Sequence, residues 1–137
     1  HLALTIAGPK GTAYEKGIFK LEMRFPIDYP NSPPFVRFHT AIWHPNFWAN
    51  PNEYPNQRNI CLALVDPNLI GTKGGWSPSK TAVTIVQAII AMLNTRGEYI
   101  NPTDVCKKKA AVEMLENPKK FDEKVKHLVK KYAKYKW

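Results

Sequence analysis

Between residues 17 and 25 the chain alternates strictly: in GIFKLEMRF the apolar Phe19, Leu21, Met23 and Phe25 take one parity, and Lys20, Glu22 and Arg24 the other. A period of two marks a half-buried β-strand, because successive side chains leave opposite faces of the pleat. The apolar runs LALTI before it and FVRFH after it read as strands too. GPKGTAYEK and PIDYPNSPP separate them, and their Gly, Pro, Asn and Asp residues favour turns. Three strands joined by short connections make an antiparallel meander with one covered face. From Ser77 the period becomes helical. Ser77 can cap, Pro78 suits the first helical position, and Ala82, Ile85, Val86, Ile89 and Leu93 recur at three and four. A second helix is expected from near Pro102, carrying Ala110, Ala111, Met114 and Leu115. It ends before Asn117-Pro118, since a residue preceding proline is driven out of the helical region. The last helix has Phe121, Val125, Leu128, Val129 and Tyr132 as its apolar stripe.

Strands first and helices afterwards, with no βαβ alternation, predict an α+β domain of one sheet covered by helices. A length of 137 residues fits a single domain over 1–137, and 44% hydrophobic residues favour a packed core over disorder. The longest apolar run, TAVTIVQAIIAML, is too short to cross a bilayer, so no membrane partner is expected. Between the sheet and the core helix lies an irregular stretch from about residue 40 to 76, and loops of that length in a compact domain tend to carry function.

Charge narrows the partners. The net formal charge is +9, but residues 107–137 hold eleven lysines against four acids, a surplus of seven, while residues 1–106 carry a surplus of two. The basic surface therefore belongs to the C-terminal helices, where it reads as a solvated face. Nucleic-acid binding through it would need more interleaved aromatics than Tyr132, Tyr135 and Trp137 supply, so no nucleic-acid partner is expected. GPKGT and GTKGG lack the spacing of a phosphate-cradling loop and read as turns.

Cys61 and Cys106 are the two cysteines, too few for a disulfide framework and not in zinc-ligand spacing. A reducing setting follows, with cytoplasmic or nuclear localisation expected, and no metal or organic cofactor. Cys61, inside ICLALV and amid the long loop, is either a small buried hydrophobe or a nucleophile. A cysteine hydrolase would require a histidine base, for which His44 is the nearest in sequence; preceding Pro45, it reads equally as an inward-turned support of its own turn.

The series GPKGTAYEKGIFKLEMRFPIDYPNSPP, IWHPN, NICLALV, WSPSKT and NPTD resembles, in content and order over almost the whole chain, the ubiquitin-conjugating enzymes. The resemblance implies a four-stranded antiparallel meander sheet packed against a core helix and two C-terminal helices, with an N-terminal helix ahead of the first strand. His1 corresponds to a point just inside that strand, which leads us to expect an N-terminally trimmed fragment. The implied activity is transfer of ubiquitin or a ubiquitin-like modifier. Cys61 matches the cysteine that takes the modifier as a thioester from an activating enzyme and gives it to a substrate lysine, usually with a ligase, ATP being consumed upstream. A free thiol titrates at about 8.5, so only a small fraction is thiolate at neutral pH without help. Asn46 matches the residue proposed to stabilise the oxyanion or to order the loop; an amide donor so placed is worth about 3 to 4 kcal/mol. His44 and Pro45 then form the structural part of the motif. Asp104 matches the acid that orients the incoming lysine, and it can also serve as a helix cap.

Ligase contact in the family maps onto Asn31 and onto Pro78 and Ser79. Asn31 departs from the bulky apolar residue common there. Fourteen residues separate Asn46 from Cys61 and fourteen more separate Cys61 from Trp76, both longer than the common form. The segment VDPNLIGTKGG holds one acid and one base, unlike the acidic insert of the chain-building subclass, and Ala63 stands where an Asp is usual. The alternative from another class is a non-catalytic scaffold of the same fold that binds modifiers; such variants typically lack the cysteine.

Overall fold

A computed structural model describes residues 1–48, 58–94 and 106–134. The alternating segment forms β2 (Ile18–Arg24), the centre of a three-stranded sheet in the order β1-β2-β3, with β1 at Leu2–Ala7 and β3 at Phe35–Phe38. Both pairings are antiparallel. Leu4 sits opposite Leu21 and Ile6 opposite Phe19, while Phe38 and Val36 meet Leu21 and Met23 from the other side. Phe19, Leu21, Met23, Val36 and Phe38 are all buried. Phe25 lies one residue beyond the strand and is partly exposed. On the other face of β2, Glu22 is approached by His1 and His39 at 3.0 Å each and by Arg24 at 3.3 Å. Burial works to raise the Glu22 pKa, but its bonds and charge contacts with His39 and Arg24 outweigh that and leave it lowered.

Among the described residues three helices follow: α1 (Ala82–Asn94), α2 (Lys108–Glu116) and α3 (Pro118–Tyr132). The buried Ile85, Ile89 and Leu93 of α1, Ala110 and Met114 of α2, and Phe121, Val125 and Val129 of α3 join the sheet residues in one core. At the end of α3, the Ala133 carbonyl accepts the Ile18 amide at 2.9 Å, and Lys134 bridges Gly17, so the last helix closes back onto the start of β2.

Several expectations are corrected. The implied fourth strand is reduced, among the described residues, to one antiparallel bridge between Phe47 and Ile60. Asn59 extends the sheet edge in its place: its Oδ1 accepts the Phe38 amide at 2.8 Å and its Nδ2 donates to the Phe38 carbonyl at 2.7 Å. Ser77 does not cap α1. Its hydroxyl pairs with that of Ser79 and its carbonyl accepts the Lys80 amide, closing a turn that ends before the helix. The cap is Thr81, in a reciprocal box where Thr84 N donates to Thr81 Oγ1 at 3.3 Å and Thr81 N to Thr84 Oγ1 at 3.2 Å. Pro102 lies outside the described residues, and α2 begins at Lys108. Leu115 and Tyr132 are exposed, because the buried lines of their helices run through Ala110–Met114 and Phe121–Val125–Val129. Asn117 does end α2, and its Oδ1 then caps α3 by accepting the Lys120 amide at 3.2 Å.

The stretch after Cys61 is built from short turns. Two 3-10 turns, Ala63–Val65 and Pro67–Leu69, lead into a loop where Thr72 Oγ1 donates to the Leu69 carbonyl and Gly71 N donates to the Trp76 carbonyl. Gly75 is required there, since a Cβ would collide with the Leu69 carbonyl.

Candidate active site

The site is a turn, residues 44–47, against which two chain segments are pinned. His44 is its post. Its ring is buried, Nδ1 accepts the Asn46 amide at 3.0 Å, and Nε2 lies 2.9 Å from the Met92 carbonyl of α1. An amide donating to Nδ1 needs a lone pair there, so the proton is on Nε2 and is donated to Met92. Burial lowers the His44 pKa from 6.5 to about 4, with the Met92 bond opposing the shift. With both nitrogens engaged inside the protein, His44 cannot be the base for a hydrolytic cysteine. Tyr14 steadies the approach to the turn, its hydroxyl donating to the Trp43 carbonyl at 2.6 Å.

Cys61 is half-buried and bonded to Asn46 in both directions: Cys61 N donates to the Asn46 carbonyl at 2.7 Å, and Asn46 Nδ2 donates to the Cys61 carbonyl at 3.2 Å. Next to it, the amides of Cys106 and Lys107 both donate to the Pro45 carbonyl at 3.0 Å. The two cysteines, whose spacing gave no sign of partnership, are joined as a disulfide across 45 residues of sequence, with their Cα atoms 5.8 Å apart. The rim is aromatic and basic. Lys124 Nζ lies 3.6 Å from the ring centre of Trp43, Lys107 Nζ sits over Trp43 and Trp48, and Trp43 Nε1 donates to Glu113 Oε1 at 3.0 Å.

A half-buried cysteine with an amide donor bonded to its backbone thus stands on a His-Pro-Asn turn beside an antiparallel meander. The family model for the ubiquitin-conjugating enzyme matches residues 1–129. This chain belongs to the ubiquitin-conjugating enzyme family. It is 38% identical over 135 residues to the Arabidopsis thaliana ubiquitin-conjugating enzyme E2 13, covering 94% of this chain and 75% of that protein. A Saccharomyces cerevisiae protein of the same name is 34% identical over 136 residues, with 99% and 77% covered. Among solved structures, a Toxoplasma gondii ubiquitin conjugating enzyme E2 domain superposes with a TM-score of 0.73 at 36% identity, covering 96% of this chain and 79% of that one.

As a ubiquitin-conjugating enzyme the protein is a transferase acting through a cysteine thioester, with ubiquitin, an activating enzyme and ligases as its classes of partner. Of the residues singled out by sequence, Cys61, Asn46, His44 and Pro45 come together at the turn, and Asp104 lies outside the described residues. Asn31, Pro78 and Ser79 are exposed on two loops tied by Trp76, whose Nε1 donates to the Pro30 carbonyl at 2.7 Å. Sequence reasoning missed Cys106 and the Met92 carbonyl. The first had one available signal: it falls two residues after Asp104, in a segment the resemblance already assigns to the active site.

Proposed function

We propose that Cys61 accepts the carboxyl terminus of ubiquitin, or of a ubiquitin-like modifier, as a thioester from an activating enzyme and passes it to a substrate lysine. The observation that supports this most is the two-way bonding of Asn46 to Cys61, which sets an amide donor beside the nucleophile. The lysine nitrogen attacks the thioester carbon, negative charge gathers on the carbonyl oxygen, Asn46 Nδ2 donates to that oxygen, and the intermediate collapses with Cys61 leaving as thiolate. Asp104, matched through the resemblance, orients the lysine and eases the loss of its proton to water. His44 and Pro45 build the turn and touch no reacting atom.

The test is charging of the reduced, full-length protein with activating enzyme, ATP and a panel of modifiers, read on a non-reducing gel. Wild type should give an adduct cleaved by thiol, and Cys61→Ser an oxyester adduct that resists it. A wild-type adduct stable to thiol would remove Cys61 from this role.

Ligase contact is assigned to the face carrying Asn31, Pro78 and Ser79. Ile27, fully exposed on the first of these loops, offers an apolar group where Asn31 does not. Ser79→Arg should reduce RING-stimulated discharge several-fold and leave ligase-free discharge unchanged; equal stimulation would place the ligase elsewhere.

A further inference from the structure

We infer that Cys106 is a resolving thiol for Cys61: under a hydroperoxide the pair closes to a disulfide that shuts off modifier loading, and a dithiol reductant reopens it. The inference rests on the proposed thioester role of Cys61. The two backbones are set by contacts that do not involve sulfur. Cys61 N bonds the Asn46 carbonyl at 2.7 Å and Cys106 N bonds the carbonyl of the neighbouring Pro45 at 3.0 Å, which leaves the Cα atoms 5.8 Å apart, inside the span a disulfide bridges without backbone movement. The thiols of the reduced enzyme therefore stay within reach of each other. Both cysteines are only half-buried, so a small oxidant reaches them.

The chemistry balances with hydrogen peroxide as oxidant. The Cys61 thiolate attacks a peroxide oxygen, the O–O bond breaks and hydroxide leaves, giving a sulfenic acid; the Cys106 thiolate attacks that sulfur, the S–S bond forms and a second hydroxide leaves. With the two thiol protons counted, two thiols and one peroxide become one disulfide and two waters. A sulfur in that bond is no longer a thiolate and does not attack an activated carboxyl terminus, so loading stops. The same bond keeps Cys61 from going on to the irreversible sulfinic acid.

The experiment uses the full-length protein, reduced, dosed with hydrogen peroxide and quenched with catalase before activating enzyme, ATP and ubiquitin are added. Wild type should lose the mass of two hydrogens and both free thiols, yield a linked pair of peptides containing Cys61 and Cys106, lose charging completely and regain it after dithiothreitol. Cys106→Ser and Cys106→Ala should charge when reduced, go on to the sulfinic acid at Cys61, two oxygens heavier, under the same dose, and fail to recover with dithiothreitol. Wild type that keeps both thiols at a dose that oxidises Cys61 in the variants, or variants that recover as fully as wild type, would overturn the inference. A wild type that forms the linked peptides yet never charges, even reduced, would support the thiol pair and overturn the activity assigned to Cys61.

Discussion

Asn46→Ala should load normally and discharge onto lysine about 10²- to 10³-fold more slowly, the loss expected when one amide donor to a developing oxyanion is removed. Loading survives because what holds Cys61 at residue 46 is in part backbone. The Asn46 carbonyl still accepts the Cys61 amide, and the Asn46 amide still donates to His44 Nδ1, whatever side chain position 46 carries. The missing Asn46 Nδ2 bond to the Cys61 carbonyl carries a net stability cost of about 0.5 to 1.5 kcal/mol, well below the barrier change expected from oxyanion stabilisation. The measurement is single-turnover discharge of preloaded enzyme onto free lysine, followed over pH. If Asn46 donates to the oxyanion, the rate falls at every pH with the shape of the profile retained. Discharge at the wild-type rate would confine Asn46 to bracing the turn.

What could be read from sequence and what could not divide along the range of the interactions. The parity of Phe19, Leu21 and Met23 is a local fact imposed by the pleat, and the three strands and their meander follow from it. Asn117 before Pro118 is equally local, and it marks the break between α2 and α3. The start of α1 shows how local signals compete. Ser77-Pro78 has the composition of a helix start, but Thr81 and Thr84 can satisfy each other's amides, and the helix begins where that reciprocal bond closes. The partnership of Cys61 with Cys106 has no local trace, because it is made by two segments 45 residues apart that bond to adjacent carbonyls of one turn. Asn59 illustrates the same limit: a polar residue in an irregular stretch gives no hint that its amide will mimic a strand residue at the edge of β3. The roles proposed for Cys61 and Asn46 rest on a resemblance that supplied the pairing; composition alone leaves Cys61 open between filler and nucleophile.

The largest pH effect on stability should come from His44. Buried and neutral in the folded protein, it holds its pKa near 4 against an ordinary 6.5, so between those values the unfolded chain takes up a proton that the folded chain refuses. The sign follows directly. Its contribution is fully present above pH 6.5, and stability is lost as pH falls towards 4, at up to about 1.4 kcal/mol per pH unit and on the order of 3 kcal/mol in total. Glu22, whose carboxyl is held below its ordinary 4.5, also costs stability on acidification, but only as pH drops below that value, so the interval from 6.5 to 4.5 belongs to the histidine. Urea unfolding at stepped pH should show the midpoint falling across this interval in wild type. His44→Gln, whose amide does not titrate, should start from a lower midpoint and hold it. A wild-type midpoint unchanged from pH 7 to pH 5 would contradict the buried neutral ring. The consequence reaches the site, because protonation places a hydrogen on Nδ1, the atom that accepts the Asn46 amide. The turn then loses the bond that sets residue 46, and discharge of the loaded enzyme should fail in acid ahead of global unfolding.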